Sequence, residues 1–257
     1  MFDRPLDLRR MVPRGGLRYF WPGYIDWYVD SVAGDDAYGG KSPARAFKTL
    51  AKLMTVLQAN QRVGLAMGSH WREQLTVSVE AVTVEAYGSG DAPLLDCCDV
   101  AANAAWTKTA GRTNVYQITL STNYTASEPT FRRAWENGTR LTLATDLAAC
   151  DATAGTYYVA THDAASVTWY VHATDNSAVT SNGKVYEVNV RNSGFYAWAT
   201  TAVNVTGIAA RRNAANNGAI VIGAACSATD CAVSDGSKHH YLGRRGSNFT
   251  RCLASGA

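Results

Sequence analysis

The feature that most constrains this chain is the stretch over residues 28–57, YVDSVAGDDAYGGKSPARAFKTLAKLMTVL, together with the short apolar runs that follow it. A Gly- and Asp-rich turn over residues 30–40 leads into one amphipathic segment. Leu50, Leu53, Met54 and Leu57 recur at helical spacing, which predicts a helix over residues 49–58, with Phe47 folding back as a staple. Then Val63, Leu65 and Met67 alternate as a strand, and Gly68-Ser69-His70 make a turn. Trp71-Arg72-Glu73 lead into Leu75, Val77 and Val79, and Val82, Val84, Leu94 and Leu95 follow. Strands this short cannot stand alone. Parallel stacking, with alternate side chains turned to a shared core, satisfies them. A short helix at the head of the stack covers unpaired strand edges and apolar core.

Apolar residues make up 47% of the 257, enough for a sizeable core. The net charge of +3 is too small to argue for nucleic acid, and it is unevenly placed. Residues 1–22 hold Arg4, Arg9, Arg10, Arg14 and Arg18 against Asp3 and Asp7, five minus two, so this arm carries the whole excess. It ends in aromatics: Tyr19, Phe20, Trp21, Tyr24 and Trp27. Pro5, Pro13, Gly15, Gly16, Pro22 and Gly23 exclude long regular elements there. Two readings of residues 1–27 stand side by side: a docking arm for a partner protein, or a lead-in strand packed on the first coil.

No segment carries the apolar run of about 20 residues that a membrane span needs, and the N-terminus lacks a secretory h-region. The expectation is a chain made in the cytoplasm, exported by another route, or released by lysis as a virion part. Cys97, Cys98, Cys150, Cys226, Cys231 and Cys252 fit no paired zinc spacing and read as small buried thiols. Cys231 and Cys252 are 21 apart, as are Cys226 and Ser247, an offset that speaks for a repeat.

Residues 97–187 break the rhythm of the strands. Asn137-Gly138, flanked by Trp135 and Leu141, predicts a tight hairpin. GTYYV at 155–159 and VTWYVHA at 167–173 predict a second. Short strands resume at Val185, where aligning Gly207, Cys231 and Cys252 gives steps of 24 and 21 residues, a solenoid period. Asn216-Asn217-Gly218 suits the corner of such a coil. The chain stops at Ala257 without a capping pattern, so further protein, or another subunit, is expected to cover this end.

The order of Gly/Asp turn, short helix and short strands over residues 28–96 resembles the N-terminal entry of the right-handed parallel β-helix proteins, the pectate-lyase-like solenoids. Trp106, Asn137-Gly138 and residues 155–172 are similar to the antiparallel insertion that several such families carry between their first coils. The resemblance implies an all-β fold: a right-handed parallel β-helix with a short N-terminal capping helix and an inserted antiparallel β module. The divisions are an arm over 1–27, helix and first coils over 28–96, the module over 97–187, and further coils over 188–257.

Such a fold directs function to carbohydrate chemistry or to phage-type tail spikes and fibres, without choosing between them. The lyase reading needs a group that neutralises a uronate carboxylate and a base for the adjacent C–H proton. Lys238, His240 and Arg244, with His239, Arg245 and Asp235, have the right types, although an exposed polar turn has the same composition. His239 and His240 are poor metal ligands together, because neighbours on a strand point to opposite faces. Arg211 and Arg212, with Glu187 and Arg191, can line a groove for an acidic sugar or form a solvated outer face; the second is favoured. Trp135, Trp169 and Tyr170, with Trp106, can stack on sugar rings or fill the core of the module, and the core is favoured for most. Asp30, Asp35 and Asp36 lack the alternating oxygens and terminal Glu of an EF-hand and read as turn formers. No metal or cofactor site is read from the residues; calcium is the one ion the family resemblance leaves open.

P-loop, G-x-S-x-G, H-E-x-x-H and dinucleotide patterns are missing from the sequence. The resulting expectation is a tail spike or fibre that recognises a surface glycan, is homotrimeric, resides in the virion tail, and docks on other tail or baseplate proteins. That docking would use Arg9, Arg10, Arg14, Arg18 and Trp21. The alternative is a secreted polysaccharide lyase acting on an acidic glycan by β-elimination.

Overall fold

The computed structural model describes residues 24–123, 128–161, 165–214, 217–236 and 239–256. Arg9, Arg10, Arg14, Arg18 and Trp21 of the expected arm lie outside the described residues, as do Lys238 and Asn216. The chain forms two compact units: one of residues up to 96, 193–212 and 217 onward, the other of residues 97–192 and 213–216. The protein is all-β with few helices, and the sheets of the first unit are parallel.

In the first unit the chain passes through three sheets in turn and then returns to the first, one strand further along. The first sheet orders Trp27–Val29, Arg62–Ala66, Thr83–Tyr87, Asn204–Thr206, Ser227–Thr229 and Asn248–Thr250. The second orders His70–Trp71, Leu94–Asp96, Ala209–Arg211, Ala232–Ser234 and Leu253–Ser255. The third orders Leu75–Thr76, Phe195–Ala197, Gly218–Ile222 and His239–Gly243. Each strand is short, so its inward residue matters most. Those residues stack in register: Val84, Val205 and Ala228 in the first sheet, Leu95, Ala210 and Val233 in the second, Leu75, Phe195 and Ile220 in the third. All nine are buried in one core.

Corners between strands are built from left-handed residues, also in register. Asn60, Ala81, Ala202, Ala225 and Gly246 occupy one corner, with φ of 64, 57, 56, 55 and 84°. Gly207, Asp230 and Arg251 occupy the next, and Arg212, Asp235 and Gly256 the third. Single left-handed residues turn a strand sharply without breaking the ladders beside it. Of the corner expected at Asn216-Asn217-Gly218, Asn216 lies outside the described residues, and Gly218 opens the strand Gly218–Ile222. The repeat differs by one residue from the sequence alignment. Ala209 pairs with Ala232 and Ala232 with Leu253, steps of 23 and 21, so Ile208 rather than Gly207 stands opposite Cys231.

The helix is shorter than its periodicity predicts, Leu50–Met54. Thr55 ends it: its N–H and hydroxyl both bond to Lys52 O, at 3.1 and 2.7 Å. Leu50 and Leu53 are fully buried, whereas Met54 is exposed. Phe47 is buried against Trp27, their rings 5.5 Å apart. Asp36 fixes the helix start by accepting Lys48 N, Thr49 N and the Thr49 hydroxyl at 2.9, 3.0 and 2.7 Å. Asp30 and Asp35 likewise accept N–H groups of their own turns.

The second unit holds two mainly antiparallel sheets. Glu136 pairs with Thr139 across Asn137-Gly138, both with positive φ as a two-residue hairpin turn requires. Thr156–Val159 and Ser166–His172 pair antiparallel. The unit closes at Asn192 rather than at 187, because Val190 N and Arg191 N both bond to Cys97 O, at 2.9 and 3.1 Å.

Candidate functional site

A polar constellation of the first unit lies on the second sheet. Trp71 and Leu95 pair and point into the core. Strand alternation therefore turns His70, Leu94 and Asp96 to the opposite face. Asp96 pairs with Arg211 one strand on. Its carboxylate has no exposed surface, yet three guanidinium groups, Arg72, Arg211 and Arg212, and the His70 imidazole gather on it. Its Oδ2 accepts Arg211 Nε and Nη2 at 2.8 and 2.7 Å and lies 3.2 Å from His70 Nε2 and 3.5 Å from Arg72 Nη1. Burial by itself would raise the Asp96 pKa. The His70 hydrogen bond and the Arg211 and Arg212 charges outweigh it and hold the carboxyl well below the usual range.

These side chains are partly open to solvent, with 38% of His70, 29% of Arg72 and 23% of Arg211 exposed. Beside them is a depression of about 170 Å³ lined by Gly68, Ser69, His70, Asp91, Ala92, Leu94 and Ala209. Gly68, at φ 81°, bends the chain there, and its N–H bonds to Asp91 O at 2.7 Å. Buried Asp96 thus holds the partly exposed Arg72 and Arg211 guanidinium groups on one face of the sheet, together with His70, which also lines the depression alongside Asp91; partly exposed guanidinium groups suit carboxylate, sulfate or phosphate groups.

The residues expected from sequence fall in several places. Arg211 belongs to this cluster. Arg212 is a corner residue with 5% exposure, which rules it out as the lining of an open groove, and neither arginine is a freely solvated charge. Trp135 and Trp169 are buried, 2% and 0% exposed, and Trp169 belongs to the core of the second unit, so neither indole offers a face to a sugar. Tyr170 is half-buried and lies 6.0 Å from the Tyr158 ring. Arg191 pairs with Asp99 at 2.7 Å, and Glu187 is buried, both within the second unit. His240 Nε2 contacts Gly256 O at 2.8 Å, while the exposed Arg244 lies 4.8 Å above the Trp198 ring, so the two engage separate partners. Sequence reasoning missed Asp96, His70 and Arg72. Only strand register brings them to Arg211, and no local spacing announces it.

No protein-family model matches the chain, and no curated protein matches it in sequence. Among solved structures, XylC in complex with xylose is similar at 15% identity and a TM-score of 0.61, over 81% of this chain and 40% of its own. The GH136 lacto-N-biosidase from Eubacterium ramulus matches at 15% identity and a TM-score of 0.41, over 89% of this chain and 30% of its own. This chain therefore spans well under half the length of either protein. At 15% identity the XylC likeness establishes a shared fold and carries no activity across.

Proposed function

We propose that the first unit is a right-handed parallel β-helix and that the protein binds an acidic glycan through the His70–Arg72–Arg211 face. The observation that carries this reading is the pair of partly exposed guanidinium groups, Arg72 and Arg211, held by buried Asp96 together with His70, which lines the depression. Its fold likeness to XylC, solved with xylose, supports a glycan context. In the fuller form of the proposal the chain is a receptor-binding tail spike or fibre protein of a virion tail, homotrimeric, with residues 1–27 docking on other tail proteins. Equilibrium binding to uronate polymers and to neutral glycans of equal length tests the site. Uronate binding that falls about tenfold in Arg72→Ala supports it; equal affinity for neutral glycans overturns it. Light scattering tests the trimer, and a monomer removes that part of the reading.

The alternative is a polysaccharide lyase acting by β-elimination. His70, oriented by a carboxylate next to guanidinium groups, is the observation that favours it. The cluster proposed from sequence, Lys238, His240 and Arg244, is its other form. Ultraviolet-absorbing unsaturated products from a uronate polymer would establish lyase activity, and their loss in His70→Ala but not Lys238→Ala would place it.

A further inference from the structure

Cys231 and Cys252 occupy equivalent positions in two successive turns of the first unit. The residues after them, Ala232 and Leu253, pair in parallel register, and Leu253 N bonds to Cys231 O at 2.9 Å. Each sulfur meets the carbonyl two residues before it and one from the preceding turn. Cys231 Sγ lies 3.3 Å from Thr229 O and 3.9 Å from Val205 O; Cys252 Sγ lies 3.4 Å from both Thr250 O and Ala228 O. Val205 and Ala228 are themselves paired. The side chains therefore point the same way from adjacent strands. Neighbouring strands are about 4.8 Å apart, within the roughly 4.4–6.8 Å of Cα separation that a disulfide spans. Both thiols are free.

We propose that Cys231 and Cys252 form a thiol–disulfide exchange site that takes a low-molecular-weight disulfide such as oxidised glutathione and closes into a cross-link between the last two turns. Cys252 is half-exposed and Cys231 is buried, so the incoming disulfide meets Cys252 first. The Cys252 thiolate attacks one sulfur of the reagent, forming a mixed disulfide and releasing one thiolate. That thiolate takes the Cys231 proton. Cys231 then attacks Cys252 Sγ, forming the internal disulfide and expelling the second reagent thiolate, which is protonated by solvent. Two protein thiols are oxidised and one reagent disulfide is reduced to two thiols. The neighbouring Cys231 thiol, with backbone bonds to Cys252, lowers the Cys252 pKa; the Cys252 thiol and burial raise that of Cys231. This matches an exposed attacking group and a buried resolving one.

The cross-link would add a covalent tie beside the ladder between Ala232–Ser234 and Leu253–Ser255 in the second sheet. A bond from Cys252 to Cys231 ties the turn of Cys252 to the one beneath it.

The test is the full chain incubated with oxidised glutathione near neutral pH, followed by alkylation, intact mass and peptide mapping. The expected result is a mass lower by two hydrogens before alkylation, a Cys231–Cys252 linked peptide, and slower hydrogen exchange over residues 239–256. Cys231→Ala is expected to keep a stable glutathione adduct on Cys252, and Cys252→Ser to form neither product. If both cysteines of the wild-type chain stay alkylatable, or if its Cys252 adduct persists unresolved, the proposal is overturned. The wild-type map decides the matter even if a variant fails to fold.

Discussion

Arg211 stands beside Asp96 on the neighbouring strand, and two of its nitrogens, Nε and Nη2, hold a single carboxylate oxygen at 2.8 and 2.7 Å. The two residues are 115 positions apart in sequence, and residues 97–192 of the second unit lie between them. Their pairing ties the strand that leaves the first turns to the strand that resumes them. It also holds the cationic face in place.

Asp96→Asn is expected to destabilise the protein by about 3–5 kcal/mol. The amide keeps the shape but leaves Arg211, Arg72 and Arg212 around a site without its anion. Urea unfolding of both proteins checks the value; a loss under about 1 kcal/mol would mean that the cations are adequately solvated.

Acid should weaken the protein through the same group. The folded Asp96 pKa is depressed, so its stabilisation is complete above the unfolded value of about 3.9 and is lost as pH falls toward the folded one. Glu136 is also depressed: hydrogen bonds from Lys184 and Thr174 outweigh the upward push of burial. Unfolding free energies at neutral pH and on the acid side of about 4 are expected to differ, with a flatter pH slope in Asp96→Asn.

Glu136→Gln tests the second unit by itself. Glu136 accepts Lys184 Nζ at 2.8 Å, Thr174 N at 3.0 Å, the Tyr186 hydroxyl at 3.2 Å and the Thr174 hydroxyl. Loss of the charge is expected to cost about 1.5–3 kcal/mol. Faster hydrogen exchange over Tyr186–Asn189, with the first unit unchanged, is the signature to look for.

Ala225→Gly is expected to stabilise. Ala225 sits at φ 55°, in register with Gly246 at 84°. The left-handed conformation costs an L-residue roughly 1–2 kcal/mol, and the added freedom of glycine in the unfolded chain returns about 0.5–1 of that. A net gain of about 0.5 kcal/mol, read as a higher melting midpoint, follows from the difference. A drop in the midpoint would show that the Ala225 methyl group contributes packing that outweighs the strain.

Binding of an acidic glycan at the cationic face should weaken as salt rises, because solvent-exposed charges are screened over roughly 10 Å at 0.1 M. Calorimetric titrations at low and high ionic strength check this; an affinity independent of salt would argue for apolar or neutral hydrogen-bonding contacts.

The local elements were legible because local chemistry dictates them. Asn137-Gly138 supplies the two left-handed residues of a hairpin, and the Leu50 and Leu53 spacing supplies a buried helix face. The length of that helix was not legible, because Thr55 stops it by bonding back to Lys52. Trp135 and Trp169 show a second limit. An aromatic side chain reads alike whether it faces a sugar or a core, and only tertiary packing buried them, Trp169 in the core cluster of the second unit. Alternation along a strand marks which residues share a face, but it does not say which strand comes alongside.

The sequence by itself determined short strands, tight turns, a repeat near 21 residues and an interruption after Asp96, since each follows from side-chain size and backbone freedom within a few residues. Tertiary structure alone decided the register. That register sets Asp96 beside Arg211, a pairing fixed by the ladder hydrogen bonds and core contacts of strands far apart in the chain.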